Sequence, residues 1–355
     1  MLSCRQSVSK VTDTTTIEAG TAKITAGTAK LTGSITSPND TSKDSIYVNA
    51  FVTHPISGEI VQYKALVDQS GKFSLDIDVE TAISLIGLNT SLNPHMPFYA
   101  KLTSGGVTNL EIAYDSDFHS ANIDVTPANM TQYDMIRGVE FIPKMASSEH
   151  SKAPEPLYDK STDYFLNHAK TIISERIEIL NNDTLISKEL KGVLSKDFRL
   201  NMYVAHVFDY EDAMIRNYRN STCDRSNKPG IQKIDRSYYS FLKDFNLNDP
   251  QYLQTSEFLH FQKEILQNKI IGLPEIGESD IPSWLASVKA VLSDLVGFDN
   301  GPYYDILAAN AYARQLNEEV RPLTEKQKEH IADYWENGEI AKILFRKNQQ
   351  VVEFR

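Results

Sequence analysis

The sequence is poor in cysteine, and its two cysteines, Cys4 and Cys223, lie far apart in the chain. No Cys-x-x-Cys pair is present, so the chain lacks the adjacent nucleophilic and resolving thiols that sulfur redox turnover requires. We therefore expect no disulfide reductase activity from these residues. Cys223 lies in a polar segment, and we predict that it is an inert thiol without an intrachain structural disulfide.

Positive charge and long apolar runs are also scarce. The chain has 36 Lys and Arg residues against 47 Asp and Glu residues, which gives a formal net charge of -11. Non-specific binding to nucleic acid or to anionic lipid needs an excess of positive charge, so we expect no nucleic-acid partner. No apolar run approaches the roughly 20 residues that span a bilayer. The basic and apolar regions of a signal peptide are missing as well.

Motifs with catalytic or metal-binding spacing are absent from the sequence. It has no Gly-x-Ser-x-Gly elbow, no Gly-x-x-x-x-Gly-Lys loop and no Gly-x-Gly-x-x-Gly turn. His206 and Asp209 would share one helix face, but two ligands are too few for a closed zinc site, and a solvated face is the simpler interpretation. Residues 115–117 with His119 lack the other ligands of a calcium loop and indicate a β-turn. We therefore predict no catalytic residue, no metal ligand and no cofactor-binding residue.

Cys4 follows Met1-Leu2-Ser3, and the order apolar, small, cysteine is typical of a bacterial lipoprotein cleavage site. We predict that a lipid on Cys4 attaches the protein to an envelope membrane. The alternative is an ordinary cysteine near a chain terminus. Since no signal peptide precedes Cys4, Met1 is either an internal start in a longer gene or the result of trimming, and we favour the internal start.

Residues 5–32 are rich in Ser, Thr, Ala and Gly, and they carry a tandem repeat in segments 19–25 and 26–32. Small polar residues of this kind bury too little apolar surface to become ordered alone. We therefore predict that residues 1–32 are a flexible tether.

Residues 33–142 alternate apolar and polar positions with a period of two, and turn residues separate the runs. Residues 104–106 indicate a hairpin tip. Many short strands at such spacing predict an antiparallel β-sandwich domain. The strands are expected at residues 45–52, 60–67, 72–79, 97–102, 109–114, 121–125 and 138–142.

A spacer at residues 143–159 is the predicted linker, and residues 160–355 are the predicted all-α helical domain. Its apolar residues recur at helical spacing, and about eight helices packed as antiparallel hairpins are expected. Residues 183–220 predict one long helix or two helices with a break. Thr324 and Gln327 have the spacing of a capping box. We expect the aromatic run 238–242, Trp284 and Trp335 to lie in the core, although an exposed run could bind a partner or a glycan.

The order of these parts resembles a known family. The resemblance is carried by residues 63–73, residues 238–250 and the two segments 304–307 and 340–348. It is a resemblance to the region that precedes the thioredoxin domain in TlpA-like envelope lipoproteins of Gram-negative bacteria. The resemblance implies a β domain, a helical region and then a thioredoxin domain with Cys-x-x-Cys. This sequence ends at Arg355 without that motif, so no catalytic residue is carried over.

Three functions are consistent with these observations. The first is a non-catalytic accessory or scaffold region of a TlpA-like thiol-disulfide oxidoreductase in the cell envelope. Its partners would be a C-terminal thioredoxin domain or a separate redox protein. The second is a stand-alone envelope lipoprotein that binds a glycan or a peptide. The third, which the sequence supports least, is an enzyme with an unrecognised site in the helical half.

Overall fold

The computed structural model of the protein describes residues 23–37, 46–115, 121–146 and 154–354. It confirms a β region followed by a helical region. Cys4 and the predicted tether as far as residue 22 lie outside the described residues. Among the helices of the described ranges, none is both long and apolar enough to cross a membrane.

Two four-stranded sheets form the β region. Their strand orders are β4-β1-β7-β8 and β3-β2-β5-β6. All pairs are antiparallel except β1 and β7, which run parallel. The strands are β1 (Ile24–Thr36), β2 (Tyr47–His54), β3 (Glu59–Leu66), β4 (Lys72–Thr81), β5 (Ile83–Thr90), β6 (Asn93–Thr103), β7 (Val107–Tyr114) and β8 (Ala121–Thr126).

The apolar positions of these strands face each other between the two sheets and make one core. Leu31 and Ile77 from the first sheet and Val48 and Leu88 from the second have no solvent exposure. Successive side chains of a strand point to opposite faces of its sheet. The apolar residues that alternate with polar ones in the sequence therefore form the inner face of a sandwich.

The predicted tether is wrong for residues 24–32, because these residues belong to β1. Ala29 and Leu31 point into the sandwich core. β1 is also hydrogen-bonded on both sides, to β4 and to β7. Two backbone ladders order a run of small residues that buries little apolar surface of its own, and composition alone does not show this.

Two further expectations for the β region are wrong. Residues 138–142 are not a strand, since a π-helical turn (Tyr133–Arg137) leads into helix α1 (Gly138–Ala146). The end of α1 also includes residues 143–146, which were predicted to begin the linker. A Cβ on Gly138 would lie 2.8 Å from Leu190 Cδ2, so the absence of a side chain at this position lets α1 pack closely against Leu190. Residues 104–106 do form a turn, but the turn joins β6 to β7 in the other sheet.

Two expectations for the helical region are confirmed. The run 183–220 is two helices with a break at residues 207–209, and the capping box at Thr324 and Gln327 is present. Residues Arg236–Asp244 and Pro250–Gln254 are 3₁₀ helices. The α-helices after α1 are α2 (Thr162–Asn181), α3 (Lys188–His206), α4 (Tyr210–Thr222), α5 (Glu257–Gln267), α6 (Ile281–Val296), α7 (Pro302–Asn317), α8 (Glu325–Trp335) and α9 (Glu339–Phe354).

The turn between β2 and β3 inserts into the helical region. Ile56 has no exposure and belongs to the helical core. Asn310 Nδ2 donates to the carbonyl oxygens of Pro55 and Ile56, both at 2.9 Å, and Asn317 Nδ2 donates to the Ser57 carbonyl oxygen at 2.6 Å. We call the contact of the β region with α7 and α9 the seam.

Charged groups on both sides reinforce the seam. Lys347 Nζ lies 2.6 Å from Glu59 Oε2, and Arg346 Nη1 lies 3.2 Å from Asp78 Oδ1. The buried Glu80 carboxylate accepts from the Ile56 backbone N–H at 2.7 Å, which holds the turn from the β side. The two halves therefore share a core and a polar interface in addition to their chain connection.

Candidate ligand-binding cleft

A cleft of about 710 Å³ lies in the helical region between the start of α4, the loop 228–234 and the end of α5. We call it the α4–α5 cleft. Its volume is within the range of natural ligand sites. Its lining combines buried aromatic side chains, isoleucines and charged residues of both signs.

The tyrosines of the 3₁₀ helix Arg236–Asp244 fix the base of the cleft. Tyr238 Oη donates to the Val207 carbonyl oxygen at 2.7 Å, and Tyr239 Oη donates to the Phe208 carbonyl oxygen at 3.2 Å. Asn268 Nδ2 donates to Tyr239 Oη at 2.9 Å. Backbone carbonyls are left without helical partners where α3 ends, and these hydroxyls satisfy them. The break between α3 and α4 is therefore held in one conformation.

Acidic residues form one side of the cleft. Asp209 is the N-cap of α4, where its Oδ1 accepts from the Asp212 backbone N–H at 2.9 Å, and Glu211 lies in the first turn. Glu264 of α5 is half-buried. Burial raises the pKa of the Glu264 carboxyl, and the Asp209 charge adds to the rise although Lys263 opposes it. The acidic side therefore favours the approach of a cationic group.

Basic residues contribute to the same lining. They are Lys228 and Lys233 of the loop and Lys269 after α5. Within the described part of the chain, neither these lysines nor the carboxylates of Asp209, Glu211 and Glu264 form an ion pair. Isoleucine side chains lie among the charges, at positions Ile215, Ile231, Ile234 and Ile270. A ligand with both signs of charge and an apolar middle would match this lining.

His206 and Asp209 do not form a site together. His206 is the last residue of α3 and is not part of the cleft lining. Burial lowers the pKa of His206, and the nearby Arg216 and Arg176 lower it further. No group of three metal-ligating side chains occurs among residues that the structure describes. Asp209 is exposed, as a solvated helix face requires, and it acts in addition as a helix cap.

The aromatic run 238–242 lies in the core as predicted, since Tyr238, Tyr239, Phe241 and Leu242 are buried. Trp284 is buried and Trp335 is half-buried against the same core. The run therefore does not present a flat aromatic surface to a glycan.

The remaining predicted positions do not contribute to the cleft. Cys223 is exposed and ends α4 in the left-handed conformation, with φ of 60°. Asp115 follows β7, whereas Asp117 and His119 lie outside the described residues, as does Cys4.

The sequence interpretation missed Glu264 and the lysines of loop 228–234 as site residues. These residues are far apart in sequence and form no motif, so spacing gives no signal for them. Their proximity arises when α4, the loop and α5 pack on the same tyrosines. No known family model matches this chain, and no curated protein matches it.

Proposed function

We propose that the protein is a non-catalytic accessory region of a TlpA-like thiol-disulfide oxidoreductase. In this proposal the α4–α5 cleft binds a segment of a polypeptide. The joined β and helical regions hold that polypeptide in position for a thioredoxin-type redox partner. The observation that supports this function best is the set of charged side chains of both signs around an apolar cleft of about 710 Å³, which form no ion pair with any residue that the structure describes.

A peptide fits this lining better than a glycan does. The rings of Phe208, Tyr210 and Tyr239 are at most 2% exposed, so they offer no free ring face for stacking on a sugar. A peptide carries charges of both signs and apolar side chains on one chain, and hydrogen bonds to charged groups are the stronger ones. The cleft therefore favours the peptide among the two ligand classes that the sequence left open.

The seam supports the scaffold part of the proposal. Because Ile56 packs in the helical core and Asn310 binds the turn, the β region is held at one position on the helical region. Binding groups held on a rigid frame lose less entropy when a ligand or partner docks. The proposal keeps the lipid on Cys4 and the envelope location as its cellular setting, to be tested by mass spectrometry of membrane-extracted protein.

A labelled peptide array with varied charge tests the binding part. We expect peptides with an acidic and a basic residue separated by apolar residues to bind the wild-type protein most tightly. Glu264→Gln and the double variant Lys228→Met with Lys233→Met should each weaken binding by about tenfold or more, as expected for charge-assisted hydrogen bonds.

The matched controls are Glu329→Gln and Lys326→Met, which change exposed charges on α8. They should leave peptide binding unchanged. The proposal fails if no peptide class binds, or if cleft and control variants behave alike.

An insulin-reduction assay tests the redox part. The purified protein alone should not reduce insulin. When the protein is added to a TlpA-type thioredoxin domain, it should raise the rate at which that domain reduces a peptide that the cleft binds. The Glu264→Gln variant should not raise this rate. Reduction by the protein alone that Cys223→Ser abolishes would show that the protein is itself a redox enzyme.

A further inference from the structure

The second sheet, with strand order β3-β2-β5-β6, has an outward side as well as a core side. Val48 and Leu88 of this sheet lie in the sandwich core, so the residues next to them in the chain point outward. The register places Gly87 of β5 between Phe51 of β2 and Tyr99 of β6 on the outward side. Tyr99 packs against the helical core, so the open part of this side lies on β2, β3 and β5. We call the outward residues Asn49, Phe51, Gln62, Lys64, Gly87 and Asn89 the amide face.

Gly87 is a glycine that the packing of the described residues does not explain. It lies inside β5 with a paired strand on each side, and its φ is not positive. A Cβ on Gly87 would meet no atom within 4 Å, whereas a Cβ on Gly33 of β1 would lie 2.3 Å from the Leu110 carbonyl oxygen. A glycine inside a strand weakens the strand and often marks a place where a ligand approaches closely. The open space at Gly87 therefore fits a ligand that lies directly on the sheet.

A row of amide side chains lies beside Gly87 and crosses three strands. Gln62 Nε2 donates to Asn49 Oδ1 at 3.1 Å, and Asn49 Nδ2 donates to Asn89 Oδ1 at 2.9 Å. These two bonds orient the amides, and they leave Asn89 Nδ2 and Gln62 Oε1 at the ends of the row without a partner among the described residues. The row therefore offers a hydrogen-bond donor at one end and an acceptor at the other.

Phe51 gives the amide face an apolar surface next to the same space. Its side chain is 37% exposed, and it is the register partner of both Gly87 and Gln62. An aromatic ring offers a large contact area at little cost in side-chain entropy. A ligand that fits here has an apolar side for the ring and polar groups for the amides.

The amide face carries little charge, although the whole protein has a formal net charge of -11. Among its six residues only Lys64 is charged, and Lys64 Nζ lies 3.8 Å from the centre of the Tyr47 ring. A charged ligand would lose hydration there without gaining a carboxylate or a free cation as its partner. This separates the amide face from the α4–α5 cleft, whose lining carries several charges of both signs.

We propose that the amide face binds a sugar ring of a neutral oligosaccharide. A sugar ring has an apolar side of C–H groups, which matches Phe51. Its hydroxyl groups both donate and accept, which matches Asn89 Nδ2 and Gln62 Oε1. The absence of a side chain at Gly87 gives the ring room to lie on the sheet. The site is separate from the α4–α5 cleft and does not depend on the peptide binding proposed above.

Isothermal titration calorimetry with oligosaccharides tests the proposal. The neutral probes are the hexasaccharides of cellulose, xylan, mannan, laminarin and amylose, and the charged comparison is hexagalacturonate. At least one neutral hexasaccharide should bind about tenfold or more tightly than hexagalacturonate, because the carboxylates of the latter would lose hydration on an almost uncharged face. No binding by any neutral hexasaccharide, or equally tight binding of hexagalacturonate, overturns the proposal.

Gly87→Val tests the role of the open space. A Cβ fits at this position, and valine suits a strand better than glycine does, so the variant should be at least as stable as the wild-type protein. The added side chain occupies the space, so the affinity for the best hexasaccharide should fall about tenfold or more. Phe51→Ala and Asn89→Ala should each weaken binding by about tenfold. A folded Gly87→Val protein with wild-type affinity contradicts the proposal.

Phe354→Ala and Gln349→Ala are the matched controls. Phe354 is 85% exposed, and Gln349 Nε2 donates to Glu353 Oε1 on the exposed side of α9. Both variants should bind the hexasaccharide like the wild-type protein, and thermal unfolding shows that every variant is folded. The peptide array should be unaffected by Gly87→Val. A loss of peptide binding in that variant would mean that the amide face binds a peptide, and it would overturn the proposal.

Discussion

The β region and the helical region bury polar groups in different ways. In the β region the backbone ladders satisfy the polar groups of the main chain, and the core between the sheets is mainly aliphatic. The helical core is rich in tyrosine and phenylalanine. Among the described residues, buried side-chain atoms without a partner occur mostly on the helical side, in Tyr210, Arg236, Gln262, Tyr303, Asn310, Tyr312, Asn317 and Trp335.

This contrast follows from how each architecture ends its hydrogen-bond pattern. A strand inside a sheet pairs along its whole length, whereas each helix leaves backbone carbonyls unpaired at its end. Tyrosine hydroxyls donate to carbonyl oxygens in the turns that follow helix ends, as where Tyr304 Oη donates to the Phe298 carbonyl oxygen after α6 at 2.8 Å. The α4–α5 cleft lies in the region where Tyr238 and Tyr239 supply such partners.

The largest expected effect comes from removing the residue that joins the two cores. Ile56→Ala should lower the free energy of unfolding by about 2–5 kcal/mol, because a fully buried side chain is lost from the helical core. Since the residue belongs to a β turn, both regions should unfold at a lower denaturant concentration, measured by near-UV and far-UV circular dichroism. Ile60→Ala, at a position 46% exposed, is the control. Separate transitions with an unshifted β region would show that the halves are independent.

A pair of tyrosines tests whether the helical core depends on hydroxyl groups. Tyr238→Phe should lower the free energy of unfolding by about 1–3 kcal/mol, because the Val207 carbonyl oxygen loses its partner. Tyr210→Phe should be neutral or stabilising, since Tyr210 Oη is buried without a partner in the described structure. Urea unfolding of both variants measures the difference. Equal losses would contradict the role given to the hydroxyl of Tyr238.

Much of the fold could be predicted because periodicity reports burial. The alternation at residues 72–79 became β4, and the spacing after Ser161 became α2 with Ser161 as its N-cap. The errors arose where the local pattern and the tertiary environment differ. Residues 24–32 look too polar to become ordered, but neighbouring strands pair with them on both sides. Residues 138–142 alternate like a strand, but Phe141 and Met145 are buried at helical spacing.

The candidate cleft could be predicted only in part. The segment around Asp209 and the tyrosines at 238–239 stood out in the sequence, and the structure places Asp209 and Tyr239 in the cleft lining. Glu264 and the lysines of loop 228–234 have no distinguishing spacing. The contact between the β2–β3 turn and α7 could not be predicted at all, because the two segments lie more than 250 residues apart in the chain.

The pH dependence of stability should differ in sign between the two regions. Asp197 belongs to α3 and contacts the start of α5, where its Oδ1 accepts from the Glu257 backbone N–H at 2.9 Å. Burial raises the pKa of Asp197 from 3.8 to about 6. The stability that comes from its protonated form is therefore fully present below about pH 4 and is lost as the pH rises through about 6. We expect this loss to be about 2–3 kcal/mol.

Asp197→Asn keeps an accepting oxygen and should remove this dependence, measured by urea unfolding between pH 4 and 7. In the β region, hydrogen bonds from Ser70 and from the Lys72 backbone lower the pKa of Asp68. Its contribution is therefore present above its ordinary pKa and is lost as the pH falls through the lowered value. Asp68→Asn should remove only this loss of stability at acidic pH. A wild-type protein whose stability does not change between pH 4 and 6 would contradict the assignment for Asp197.

The smallest expected effect concerns the ion pairs of the seam. Lys347 and Glu59 are 15% and 24% exposed, so solvent screens their contact less than it screens a surface pair. A double-mutant cycle with Lys347→Met and Glu59→Gln should give a coupling energy of about 0.5–1 kcal/mol, against roughly 0.3 kcal/mol or less for the exposed pair Lys328 and Glu325. Thermal unfolding at low and high salt should show the smaller salt dependence for the seam pair. A coupling energy of zero at the seam would mean that Ile56 and the asparagines of α7 hold the two regions together without help from these charges.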